Sequence, residues 1–252
     1  MIDVRVLKKL CPTYSFLHLD TIDSTNEYLK SRLDLFEKTI VIAEGQTQGK
    51  GRNGRSFYSP KGCGIYMSLL IKPQNDPNTI FDLTGITALS ALKAIQTVYG
   101  ITPSIKWLND LMVQDQKIAG ILCESLFFGS QIKAMIIGIG INVHTFERPA
   151  EIASVAASIE DFSPIKKPRS ILIAKFLNFF DEFLAAPDKA LGDYRKQLAY
   201  VNQKVYIHQA GQISTGIIRG IDDHFHLLIE NEHGQQESLV SAEISIRPWI
   251  QS

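Results

Sequence analysis

Cysteine is scarce. Cys11, Cys63 and Cys123 are the three in 252 residues, too few and too scattered for a disulfide framework or a paired CxxC metal site. That usage suits a reducing cytoplasm. Charge of one sign is also missing. Lys and Arg total 26 and so do Asp and Glu, so no overall field draws in a long nucleic acid or an anionic membrane. No apolar run approaches the roughly 18 residues of a membrane helix, and the opening MIDVRVLKKL lacks a signal-peptide core. Repeats and low-complexity tracts are absent as well. What remains is a chain that is 45% apolar and 21% charged, enough for one good core and a smaller appended domain.

The pattern along the chain is α+β. A strand-like Tyr14–Leu19 leads to Asp23-Ser24-Thr25-Asn26-Glu27, where Ser24 and Glu27 have the spacing of a capping box. Leu29, Leu33 and Phe36 then recur at helical spacing. Thr39–Glu44 and Gly64–Lys72 read as strands on either side of a glycine-rich basic loop. Leu83–Tyr99 carries a helical stripe stopped by Gly100. From Ser104 to Val143, SIKW, DLMV, KIAGILCESLFF and QIKAMIIGIGINV are separated by short polar turns, which join strands antiparallel. Ile171–Leu184, with Phe176, Phe179, Phe180 and Phe183, reads as a core helix, and Lys189–Tyr200 is helical too. After Asn202 come VYIH, ISTGIIRGI, FHLLIE, ESLVS and EISIR, the rhythm of a small barrel-like β-module. Two domains are expected, 1–201 and 202–252.

Gly49-Lys50-Gly51-Arg52-Asn53-Gly54 has the letters of GxGxxG. A dinucleotide-binding loop must open a helix whose N-terminus holds the pyrophosphate, and SFYSPKGCG offers none. This removes the nicotinamide-dependent oxidoreductase reading. A Walker A loop fails because no Gly-Lys is followed by Ser or Thr. A kinase glycine loop fails because HRD and DFG are missing. The residues left are Lys50, Arg52 and Arg55 among glycines, either a solvated hairpin tip or a cradle whose side chains supply charge toward a phosphate.

Lys106-Trp107-Leu108-Asn109-Asp110 and Lys117-Ile118-Ala119-Gly120-Ile121-Leu122 form the second informative stretch. Taken singly, Asn109-Asp110 suits a turn, Trp107 a core aromatic and Lys117 an edge-strand charge. His224 and His226, two apart on an expected strand, read as surface histidines rather than a metal site.

Together the segments are more specific. DSTN at Asp23–Asn26, GQTQGKGRNGR at Gly45–Arg55, KWLND at Lys106–Asp110, KIAGIL at Lys117–Leu122 and GIGINV at Gly138–Val143 stand in the order found in biotin protein ligases. The chain resembles that family from about Phe16 to Val143 in its motifs and to the C-terminus in architecture. The resemblance implies a class II synthetase-like α+β core with a mixed or antiparallel sheet, followed by a small SH3-like β-barrel. It implies two steps, with biotin and ATP as substrates and Mg²⁺ present: formation of biotinoyl-AMP, then transfer to a lysine of a biotin carboxyl carrier protein such as that of acetyl-CoA carboxylase.

By the same resemblance, biotin would be bound by Ser24, Thr25, Asn26, Gln46, Lys50, Gly51, Arg52, Lys117 and Gly120. ATP would meet Arg52, Arg55, Phe57, Trp107, Asn109, Lys117 and Asn142. Catalysis would rest on Arg52, Lys117 and Asp110, with Asp110 serving either the acceptor amine or the metal. Phe57 replaces a frequent Trp, and Leu108 a frequent Pro. The helix-turn-helix module of bifunctional repressor-ligases is not expected before Tyr14, and neither is DNA binding. A cytoplasmic monomer or homodimer is expected. The competing readings are a lipoate or octanoate ligase and a non-catalytic biotinoyl-AMP sensor.

Overall fold

The computed structural model describes residues 1–72, 79–129, 131–209, 211–240 and 245–248. After α1 (Val4–Leu10) and β1 (Ser15–Ile22) come α2 (Thr25–Lys30), β2 (Thr39–Gln46), β3 (Gly64–Ile71) and α3 (Thr79–Tyr99). Four strands follow: β4 (Ser104–Lys106), β5 (Asp110–Val113), β6 (Gln116–Phe128) and β7 (Gln131–Asn142). A short α4 (Ala150–Ala153), α5 (Arg169–Ala185) and α6 (Pro187–Gln197) lead to β8 (Lys204–Gln209), β9 (Gln212–Ile221), β10 (Leu227–Asn231), β11 (Gln236–Leu239) and β12 (Ser245–Pro248).

The first sheet has seven strands in the order β1-β2-β3-β7-β6-β5-β4. Only β1 and β2 run parallel, joined by a crossover through α2; the short turns after Ser104 give antiparallel pairs, as their length requires. The second sheet is antiparallel, in the order β11-β10-β9-β8-β12.

Period-two alternation divides the first sheet into faces. Ile40 and Ile42 of β2, Ile65, Met67 and Leu69 of β3, and Ile137, Ile139 and Ile141 of β7 join the main core. Helices α3 and α5 supply its other wall, and Phe176, Phe180 and Phe183 are fully buried there. Val41, Leu70, Ala134 and Ile136 point the opposite way and pack with Leu29 of α2. Continuing along that second face of β7, the residues become Gly138, Gly140 and Asn142. The apolar cover stops there and a cleft begins.

Three sequence expectations need correction. Helix α2 ends at Lys30, and Phe36 is 82% exposed. The chain turns after Ser31 because it must return to start β2 beside β1. Ser24 is the N-cap, but its side chain makes no capping hydrogen bond. Its backbone N–H donates to Asp23 Oδ1 at 2.6 Å, and the Glu27 carboxylate is engaged by Lys30 and Lys50, each at 2.7 Å, so neither half of the capping box forms. His226 is not a surface residue. Strand β10 starts only at Leu227, and the His226 ring is buried with Nδ1 2.8 Å from Asp222 Oδ2. No helix among the described residues is long and apolar enough to cross a membrane.

Candidate active site

The cleft lies on the second face of the sheet, where β7 and β6 lose their side chains. Gly120 and Gly140 are paired across these strands, and Gly138 lies two residues from Gly140. A Cβ at Gly138 would stand 2.3 Å from Asn26 Oδ1, and one at Gly140 would stand 2.6 Å from the Phe57 ring. The glycines therefore form a floor onto which polar and aromatic groups descend.

One wall is the start of α2. Ser24, Thr25 and Asn26 are buried. Gln46, at the end of β2, accepts from Thr25 N at 2.9 Å and Thr25 Oγ1 at 3.1 Å, and donates to Ser59 Oγ at 3.0 Å. Ser68 Oγ lies 2.7 Å from Thr25 Oγ1 and also bonds Asn26 Oδ1. Asn26 Nδ2 donates to Glu124 at 2.7 Å. Such a network fixes side-chain orientation before any ligand arrives.

The roof is the basic glycine loop. Phe57 N donates to Gly49 O at 2.8 Å and Gly51 N to Arg55 O at 2.7 Å, folding the segment back on itself. A Cβ at Gly49 would come within 2.3 Å of Phe57 O, so that close approach requires glycine. Two latches hold the loop down. Lys50 Nζ meets Glu27 Oε1 at 2.7 Å, and Arg52 Nη1 donates to Asn109 Oδ1 at 2.8 Å. Burial pulls the Arg52 pKa down, partly offset by the Asp110 charge, but a guanidinium remains protonated in a protein.

Asn109 is itself fixed. Its Nδ2 donates to Ile121 O, and Ile121 N donates to Asn109 O, both at 2.9 Å. A β-bulge between β5 and β6 pairs Leu111 with Ala119 and Met112 with Lys117, leaving Ile118 as a surplus residue. In a regular strand Lys117 and Gly120, three apart, would point to opposite faces. The bulge brings the Lys117 side chain over Gly120, with Nζ 2.6 Å from Asp110 Oδ1 and 5.9 Å from the Phe57 ring centroid. β6 lies between β5 and β7, so Lys117 is not an edge charge.

All nine residues expected to bind biotin line one cavity of about 40 Å³, shared with Phe57 and Asn109. An adjoining cavity of about 140 Å³ is bordered by Arg52, Arg55, Phe57, Lys106, Trp107, Asn109, Asp110, Lys117 and Ile246. The cations of two distant segments thus face one space, with Asp110 the sole acid bordering either cavity among the described residues. Asn142 borders neither and donates to Ala157 O at 2.9 Å, while its buried Oδ1 has no hydrogen-bond partner. Trp107 is largely committed to the core, its Nε1 donating to Phe225 O at 2.7 Å. Sequence reading gave no site role to Gly138 and Gly140, although the alternation in GIGIN was visible, nor to Ser68 or Glu124, and it gave Glu27 only a place in a capping box.

A glycine floor, a polar helix start and a cationic roof define a ligase site of known type: the chain belongs to the biotin/lipoate A/B protein ligase family, whose model matches residues 19–142. Residues 200–247 match the biotin protein ligase C-terminal domain. Among curated relatives, the bifunctional ligase/repressor BirA of Bacillus spizizenii is 31% identical, covering 83% of this chain and 66% of that protein. BirA of Escherichia coli is 30% identical over 91% of this chain and 73% of its own length. The biotin–[acetyl-CoA-carboxylase] ligase of Paracoccus denitrificans is 28% identical, with 85% and 93% covered. Biotin protein ligase from Aquifex aeolicus, solved with biotin and ATP, superposes with a TM-score of 0.82 at 28% identity, over 93% of this chain and 99% of that one.

Proposed function

We propose that the chain joins biotin to a lysine of a biotin carboxyl carrier protein, using ATP and forming biotinoyl-5'-AMP. The observation that carries this reading is the convergence of Arg52 and Lys117 on one cleft beside the buried Ser24-Thr25-Asn26-Gln46 wall. In the first step a biotin carboxylate oxygen attacks the α-phosphorus of ATP, the bond to the β-phosphate oxygen breaks, and pyrophosphate leaves. Both reactants are anions, so fixed cations must offset their repulsion most strongly as the transition state forms. Arg52 and Lys117 do this, with Arg55 on the outer side. In the second step a neutral lysine amine attacks the acyl carbon and AMP departs. Asp110 orients that amine and accepts its proton, returning it to solvent.

Ser24 and Thr25 bind the ureido group with Asn26 and Gln46 beside them. Lys50 and Gly51 cover the tail, and Gly120 leaves space for it. Phe57, Trp107 and Asn109 serve the nucleotide side, and Asn142, outside both cavities, is left out of it. Magnesium fits Asp110 as a single carboxylate partner, since this ion is commonly held by one or two carboxylates and substrate phosphates, and it would neutralise phosphate charge. The units 1–201 and 202–252 act together, as a monomer or homodimer in the cytoplasm, without operator binding.

Incubation with radiolabelled biotin, ATP, Mg²⁺ and a carrier domain should label the carrier on one lysine. Label appearing only when lipoate replaces biotin would overturn the reading, and so would biotin-dependent adenylate formation without transfer.

A further inference from the structure

The chain between β9 and β10 packs a phenylalanine against α3 and α6. The turn from β9 to β10 is built around Asp222, whose Oδ1 accepts from His224 N and His226 N at 2.9 Å each and whose Oδ2 lies 2.8 Å from His226 Nδ1. At its apex Phe225 has φ 58°, in the left-handed region, yet is 2% exposed. A bulky side chain in that conformation is costly, and it persists only where the surroundings over-determine it.

The surroundings do so from three sides. A Cβ on Gly85 of α3 would stand 2.3 Å from Phe225 Cδ1, so the helix has a notch where the ring lies. The Tyr194 ring of α6 meets it edge-on at 5.1 Å. The Phe225 carbonyl accepts the Trp107 indole N–H at 2.7 Å, and Tyr194 Oη donates to Leu108 O at 3.1 Å. Both polar contacts end on the turn between β4 and β5. Its next residue, Asn109, receives Arg52, and the one after it, Asp110, receives Lys117.

We infer that Phe225 is a positioning residue for the adenylating site: the C-terminal sheet sets the Trp107–Asp110 turn through this wedge, and the turn sets the two cations. The inference rests on the ligase reading for its consequence in catalysis, though the mechanical link stands apart from it. The biotin wall on α2 and β2 has no part in the link.

The test uses the full chain and the variants Phe225→Gly and Phe225→Leu. Glycine removes the wedge while suiting the backbone, and leucine restores apolar bulk. Amide hydrogen exchange needs no substrate. Phe225→Gly should speed exchange at residues 107–110 and at Ile121 N, leaving the β2–β3 amides unchanged, and Phe225→Leu should largely reverse this. In biotin-dependent ATP–pyrophosphate exchange, kcat of Phe225→Gly should fall about tenfold or more, within what a displaced catalytic group costs. The KM for biotin should stay within about twofold of the parent, and leucine should recover most of the rate. Unchanged hydrogen exchange in the turn overturns the inference, as does an undiminished kcat. A uniform loss of protection across the first sheet would show a general stability role instead and also overturn it. A parent chain without biotin-dependent pyrophosphate exchange refutes the ligase reading, while turn protection still decides whether the wedge exists.

Discussion

Replacing Gly120 by alanine should separate stability from activity. The added Cβ would lie 2.8 Å from both Cε and Nζ of Lys117, whereas ordinary contact begins near 3.4 Å. The ammonium must therefore retreat by about 0.6 Å, which the flexible lysine stem allows at little structural cost. Chemistry is less forgiving. A displacement of about 1 Å in a catalytic group costs up to about 10²-fold, so a loss of about tenfold, or ~1.4 kcal/mol, is expected here. Gly120 has no positive φ, so alanine also restricts the unfolded chain and adds about 0.4–1 kcal/mol of stability. That corresponds to a melting temperature about 1–4 °C higher. Biotin-dependent ATP–pyrophosphate exchange reads the first quantity, and a calorimetric scan the second. An unchanged kcat/KM would refute the proposed aim of Lys117. A simultaneous fall in rate and melting temperature would refute the claim that only the lysine tip must yield.

Arg52→Ala should lose about 2–4 kcal/mol of transition-state stabilisation in adenylate formation, read as kcat/KM in the same assay. Arg52→Lys should recover only part of this, since the hydrogen bond to Asn109 needs the guanidinium reach. Glu27→Gln weakens one of the loop's two latches, so proteolytic nicking between residues 49 and 57 should quicken, and biotin with ATP should suppress it in the parent chain. Glu44→Gln strands the buried Arg169 guanidinium, now 2.7 Å from the carboxylate, and should cost about 3–5 kcal/mol in urea titration. Burial raises the Glu44 pKa, but the Ile2 amide and Arg169 outweigh it and leave the carboxyl below its usual range. A depressed value means this stabilisation is full above about pH 4.3 and is lost as pH falls through the folded-state pKa. The glutamine variant should show a flatter acid limb.

The fold's order was legible wherever periodicity ran for several residues. The helix expected over Leu83–Tyr99, which begins one turn earlier at Thr79, and the antiparallel run after Ser104 followed from apolar spacing and turn length alone. Helix α2 was misread because Leu33 and Phe36 continue a 3.6-residue pattern that the return to β2 overrides. His226 was misread because its burial depends on Phe81, which meets it at 4.7 Å from α3, far away in sequence. At the site, the residue types named the cationic groups, and their order named the family. Geometry stayed hidden where it depended on pairing. The surplus Ile118 that turns Lys117 inward is invisible without the β5 register. Phe225 gives no local signal either, since its partners lie more than a hundred residues earlier on the Trp107 side.

The two faces of β7 imply a simple rule for variation. Met135, Ile137, Ile139 and Ile141 serve the core, while Gly138 and Gly140 serve the cleft. A saturation library across residues 137–141 should alternate in phenotype: the isoleucine positions would yield proteins that melt early, and Gly138 and Gly140 would yield well-folded proteins that turn over poorly. Ala134 and Ile136, buried against Leu29, belong with the first group. Heat-based screening would pass the second group unnoticed.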